Sequence, residues 1–93
     1  MLENEPLNEA QAKRLIRHIL ESGTVSLSDH ALEELAKENM TTVDAVNVLR
    51  GGVVEPAEFE RGSWRYRVRT QRMYVVVAFR SEKHLVIVTA WRR

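Results

Sequence analysis

The alternation in Ser63–Arg69, reading Ser-Trp-Arg-Tyr-Arg-Val-Arg, narrows what this chain can fold into more than any other stretch. Successive side chains of a strand leave on opposite faces, so Trp64, Tyr66 and Val68 share one face while Arg65, Arg67 and Arg69 share the other. One face calls for a core and the other for water or an anion. Two further runs, Met73 to Phe79 and Leu85 to Ala90, are rich in Val and Ile, as expected of strands covered on both faces over much of their length. Gln71-Arg72 and Ser81-Glu82-Lys83 are polar breaks of hairpin length, which makes Ser63 to Arg92 three successive antiparallel strands.

Helical spacing governs what precedes them. Ala12, Leu15, Ile16, Ile19 and Leu20 fall on one helix face, with Asn8 and Gln11 placed as a capping box and Gly23 as the stop. Ser28 or Asp29 caps a second helix carrying Ala31, Leu32, Leu35 and Ala36, which Asn39 ends. Thr41 and Asp44 open a third with Ala45, Val46 and Leu49, closed by Gly51-Gly52. Thr24 to Leu27 is β-prone without an evident partner, Val53 to Glu55 is short and extended, Pro56 suits an edge or loop, and Arg61-Gly62 is a turn. The order predicts a single α+β domain over residues 1–93, with N-terminal helices packed on the apolar face of a C-terminal antiparallel sheet.

Composition excludes several function classes. The 93 residues hold no cysteine, which removes disulfides and thiolate zinc sites and suits a reducing cytoplasm. Neither a signal-peptide profile nor an apolar run of membrane-spanning length occurs, so the expected setting is cytoplasmic without a membrane partner. Charge is unevenly placed. Up to Arg50 there are five Lys/Arg against nine Asp/Glu, and from Gly51 onward nine against four. A basic sheet half attracts phosphates or an acidic partner, although the same arginines also suit the plain task of solvating an open sheet face.

No glycine-rich phosphate loop, His-Glu-x-x-His, acidic calcium loop or Ser-His-Asp set can be assembled, and the carboxylates are scattered, so no metal or other cofactor is expected. His30 lies in the first turn of the second helix, where the helix dipole disfavours imidazolium. The ring there can act as a base, or it can simply pack or cap.

The segment Ser28-Asp29-His30-Ala31-Leu32-Glu33-Glu34-Leu35, then Met40 to Val46, Leu49 before Gly51-Gly52, and a hairpin sheet ending Val86-Ile87-Val88-Thr89-Ala90-Trp91, resembles a small bacterial family similar to the RelE-like toxin superfamily, which includes BrnT and MqsR. The resemblance covers roughly Ser26 to Arg92 and departs at Glu34, where a basic residue is expected after His-Ala. It implies the toxin of a type II toxin–antitoxin pair, usually a metal-independent endoribonuclease acting on mRNA, with a cognate antitoxin as protein partner and a homodimer left open. On that reading His30 and Arg67 are the catalytic candidates, and Arg65, Arg69, Tyr74, Arg80, His84 and Arg92 hold RNA. A binding module, holding an acidic protein or nucleic acid on the basic face without chemistry, is the alternative.

Overall fold

The computed structural model describes residues 2–93. Three helices, α1 (Glu9–Ser22), α2 (Asp29–Lys37) and α3 (Thr42–Gly51), lie on one side of a sheet built from β1 (Thr24–Leu27), β2 (Val53–Val54), β3 (Glu58–Glu60), β4 (Ser63–Arg69), β5 (Met73–Ser81) and β6 (His84–Arg92). The architecture is α+β, as the order of patterns predicts.

The caps are where the side chains require them. Asn8 and Gln11 form the reciprocal capping box of α1, and Thr41 and Asp44 that of α3. Ser28, not Asp29, caps α2: its Oγ accepts from Ala31 N at 3.0 Å and donates to the Val88 carbonyl at 2.9 Å, tying the start of α2 to the last strand. Gly52 ends α3 against the sheet, where a Cβ would stand 2.6 Å from the Val48 carbonyl oxygen and 2.8 Å from that of Arg69. No larger residue fits so close an approach of helix end and strand.

Strand order is β1-β6-β5-β4-β2, with β3 also on β4. The sheet is mixed rather than wholly antiparallel, because β1 runs parallel to β6 with Thr24 opposite His84 and Leu27 opposite Ile87. A four-residue segment shows no long-range partner in its own sequence, so the crossover through α2, α3 and the meander that makes this pairing parallel is invisible there. β2 and β3 are one interrupted edge, broken near Pro56, that follows β4 back through the Arg61-Gly62 turn. Both turn residues have positive φ, 48° and 82°, the backbone a two-residue hairpin of matching twist needs.

The core lies between helices and sheet. Ala12, Ile16 and Ile19 of α1, Ala45 and Leu49 of α3, and Tyr66, Val68, Val75, Val77, Leu85 and Ile87 of the sheet are enclosed. Tyr66 brings a hydroxyl into that apolar layer, and it is satisfied in both directions: it accepts from Leu7 N at 3.0 Å and donates to Glu5 Oε2 at 2.8 Å. Burial pushes its pKa up to about 12. From α1, Lys13 Nζ reaches the end of α3 and donates to the carbonyls of Leu49, Arg50 and Gly52 at 3.2, 3.1 and 2.6 Å, satisfying acceptors that a helix end leaves without partners.

Candidate nucleic-acid interface

Alternation along three strands sorts the side chains of the open face. Between enclosed neighbours, β4 presents Arg65, Arg67 and Arg69, and β5 presents Tyr74, Val76, Ala78 and Arg80. On β6 the register slips between Val76↔Thr89 and Val77↔Ile87, leaving Val88 as the extra residue of a bulge. Val88 and Thr89 consequently both point outward, and the following alternation puts Trp91 on the open face. Arg69, Tyr74 and Trp91 form one cross-strand row, and Arg67, Val76 and Thr89 the next.

The rows assemble a cation and aromatic surface. The rings of Tyr74 and Trp91 stack with centroids 5.0 Å apart and planes 24° from parallel. The Arg67 guanidinium lies 5.4 Å from the Tyr74 centroid, and that of Arg93 lies 5.0 Å from it. The arginines are not bare, however. Glu55 spans two of them, with Oε1 2.7 Å from Arg67 Nε and Oε2 3.0 Å from Arg69 Nε. Glu58 stands 3.7 Å from Arg67, and Glu60 3.6 Å from Arg65. The hydrogen bond to Glu55 pushes the Arg67 pKa up, so that guanidinium stays charged.

These three glutamates are what the sequence reading missed. The signal was present: a Glu-Phe-Glu run and an Arg-Tyr-Arg run flank the Arg61-Gly62 turn, so a two-residue hairpin sets Glu58 opposite Arg65 and aims acid and base at the same face. The groove between this edge and the sheet floor measures about 140 Å³ and is lined by Glu58, Glu60, Arg65, Arg67, Val76 and Trp91 among others.

The expected site residues do not all meet. Arg65, Arg67, Arg69, Tyr74 and Arg80 share the open face. His84 shares it too, for it alternates with enclosed Leu85 and its Nε2 is 2.7 Å from Ser26 Oγ on the neighbouring strand β1. Arg92 lies on the helix side, where its Nε donates to the Glu38 carbonyl at 2.9 Å. His30 is exposed on α2, a helix whose buried side, Ala31 and Leu35, faces the core and which packs on β1 and β6. Arg67 is on β4, two strands and hence roughly 10 Å of sheet away from β6. Among the described residues no hydrogen bond or ion pair links His30 to an arginine of β4. Nor do three or more His, Asp or Glu side chains among them gather as a metal site would need.

Fold and site together define a small α+β domain with helices on one sheet face and an arginine and aromatic platform on the other. The chain belongs to the family described as Domain of unknown function (DUF4258), whose match covers residues 27–92. No curated protein and no solved structure matches it. No helix among the described residues is long and apolar enough to cross a membrane.

Proposed function

We propose that the open sheet face binds single-stranded RNA, and that the chain is the toxin of a type II toxin–antitoxin pair acting as a metal-independent endoribonuclease on mRNA. The observation that carries this reading is the stacked Tyr74–Trp91 pair on the open face, with Arg67 and Arg93 both beside the Tyr74 ring. Flat rings accept bases of any sequence, and guanidinium groups beside them meet the phosphates. The glutamates do not preclude this. Partly exposed ion pairs contribute about 0–1 kcal/mol each, so a phosphate can displace a carboxylate at little cost.

Cleavage without a metal requires a base for the ribose 2′-hydroxyl proton, an acid for the leaving 5′ oxygen and cations for the developing charge. Arg67 and Arg69 supply cations. His84 shares their face but stands on β6 opposite Ser81, two strands over and five residues along from the Arg67, Val76 and Thr89 row, so it does not take over the proton-transfer role assigned to His30 from the sequence. Glu55, already against both arginines, is the carboxylate in reach of the same phosphate.

A specific observation favours a second reading. Glu55, Glu58 and Glu60 demonstrate that carboxylates fit the arginine face, and an acidic segment of a protein partner, the antitoxin in the toxin reading, can take their place. Expression of the protein alone, with and without its neighbouring gene, tests the toxin reading: growth arrest relieved by the neighbour is expected. Purified protein incubated with single-stranded RNA in a chelator tests the activity, with Arg67→Ala prepared in parallel to exclude a contaminating nuclease. Protein that neither binds nor cuts RNA at low salt sinks the RNA reading, and binding that erodes gradually with each lost arginine, without cleavage, leaves the module.

A further inference from the structure

We infer that the Arg65 and Arg80 end of the open face is a subsite for one phosphodiester of RNA together with its nucleoside, an assignment that rests on the RNA reading for the source of that phosphate. A cavity of about 400 Å³ opens there, with Ser63, Arg65, Ala78, Arg80, Val86 and Val88 in its wall. Arg65 Nε is buried and has no hydrogen-bond partner. Its guanidinium makes one ion pair, 3.6 Å from Glu60 and beyond good hydrogen-bond length, while the side chain is only 20 % exposed. Arg67, by contrast, has its Nε 2.7 Å from Glu55. A buried N–H without an acceptor is costly, so a folded protein that keeps one has a reason to keep it.

The geometry points to an anion with two oxygens. A guanidinium offers Nε–H and a terminal N–H as a parallel fork that fits a phosphate, and Arg80 brings a second cation to the same wall. Ala78, Val86 and Val88 add a methyl floor against which a sugar or base can lie and which keeps water from the ion pair. Glu5 also lines the cavity, its Oε1 accepting from Leu2 N and its Oε2 from Tyr66 OH. That neighbouring negative charge disfavours a dianion, so a singly charged diester within a chain fits better than a terminal monoester.

Titration of the whole protein with a uridine dinucleotide, with uridine monophosphate and with a single-stranded RNA oligomer tests this, read by the Arg65 Nε–H resonance and by fluorescence anisotropy. The dinucleotide is expected to move that resonance at lower concentration than the monophosphate. Arg65→Lys, which keeps the charge but loses the fork, should weaken oligomer binding by about tenfold or more. Arg65→Gln, which removes the charge as well, should in addition flatten the slope of log affinity against log salt by about 0.7, a change Arg65→Lys should not produce. Ala78→Leu, which fills the floor, should weaken oligomer binding as well, whereas Arg92→Gln on the other side should change it less than twofold. A thermal melt of each variant separates lost binding from lost folding, and unfolding of Arg65→Lys leaves the resonance and Ala78→Leu to decide. If the oligomer binds but the Arg65 resonance and the Ala78→Leu affinity do not change, the subsite is wrong while the RNA reading stands. Binding of the dinucleotide without the oligomer would keep the subsite and remove that reading, and binding of neither overturns both.

Discussion

On the helix side of β4 the tyrosine of the strand is fully enclosed, and its hydroxyl has one donor and one acceptor fixed in place. On the opposite side Arg67 and Arg69 share a single carboxylate while remaining 41 % exposed. Enclosure makes the first set of bonds expensive to break, since nothing replaces them. Water and ions can replace the second set. One strand thus carries a structural polar group and an exchangeable polar surface, separated by the thickness of a peptide.

The largest effect should come from the enclosed side. Tyr66→Ala removes the largest of the fully buried side chains and should destabilise by about 3–5 kcal/mol in denaturant unfolding. Tyr66→Phe keeps the ring, strands the Leu7 N–H and should cost about 1–3 kcal/mol. A Phe variant as stable as the parent would erase the distinction between the faces.

The same hydroxyl predicts a pH dependence. Its folded pKa of about 12 lies above the ordinary value of 10.0, so the folded state holds its proton longer than the unfolded chain does. The associated stability is fully present below about pH 10 and is lost as pH rises through about 12. Denaturant midpoints of the parent should fall across that window more steeply than those of Tyr66→Phe. Parallel curves would mean that burial does not hold the proton.

Smaller effects belong to the half-exposed contacts. Lys13→Met keeps the aliphatic stem but loses three carbonyl partners at the end of α3, and should cost about 1–2 kcal/mol, read by thermal or denaturant melts. Glu55→Gln is the mildest for folding, under about 1 kcal/mol. It removes the charge clasping Arg67 and Arg69 and should raise affinity for single-stranded RNA at low salt. A fall in that affinity would show that Glu55 orients the arginines for the ligand rather than competing with it.

Local signals were the legible part of this fold. Asn8, Thr41 and Gly52 act within a few residues of themselves, so their caps could be read directly, while the α2 cap was narrowed only to Ser28 or Asp29, and the period of two from Trp64 to Arg69 fixed which side of β4 meets the helices. Register was not legible, because it depends on what a strand finds across the sheet. The bulge at Val88 turns Trp91 toward Tyr74 and leaves Arg92 on the helix side, and no count along β6 alone reveals it. Glu55 comes against Arg67 and Arg69 only through the β2–β4 pairing, which was equally unreadable, whereas Glu58 and Glu60 were signalled by the Arg61-Gly62 turn and overlooked.

The position of α1 bears on where this folding unit begins. The family match starts at residue 27, yet Ala12, Ile16 and Ile19 are fully enclosed and β1 closes the free edge of β6. A fragment cut at that boundary would leave the central sheet wet over the area α1 now covers, and would expose the β6 edge to pairing with other chains. The segment defined by similarity is therefore smaller than the segment that can hold itself together. For expression, for trimming by proteases or for grafting onto another protein, the unit that matters starts at the Glu5 and Leu7 contacts to Tyr66, some twenty residues earlier than the match.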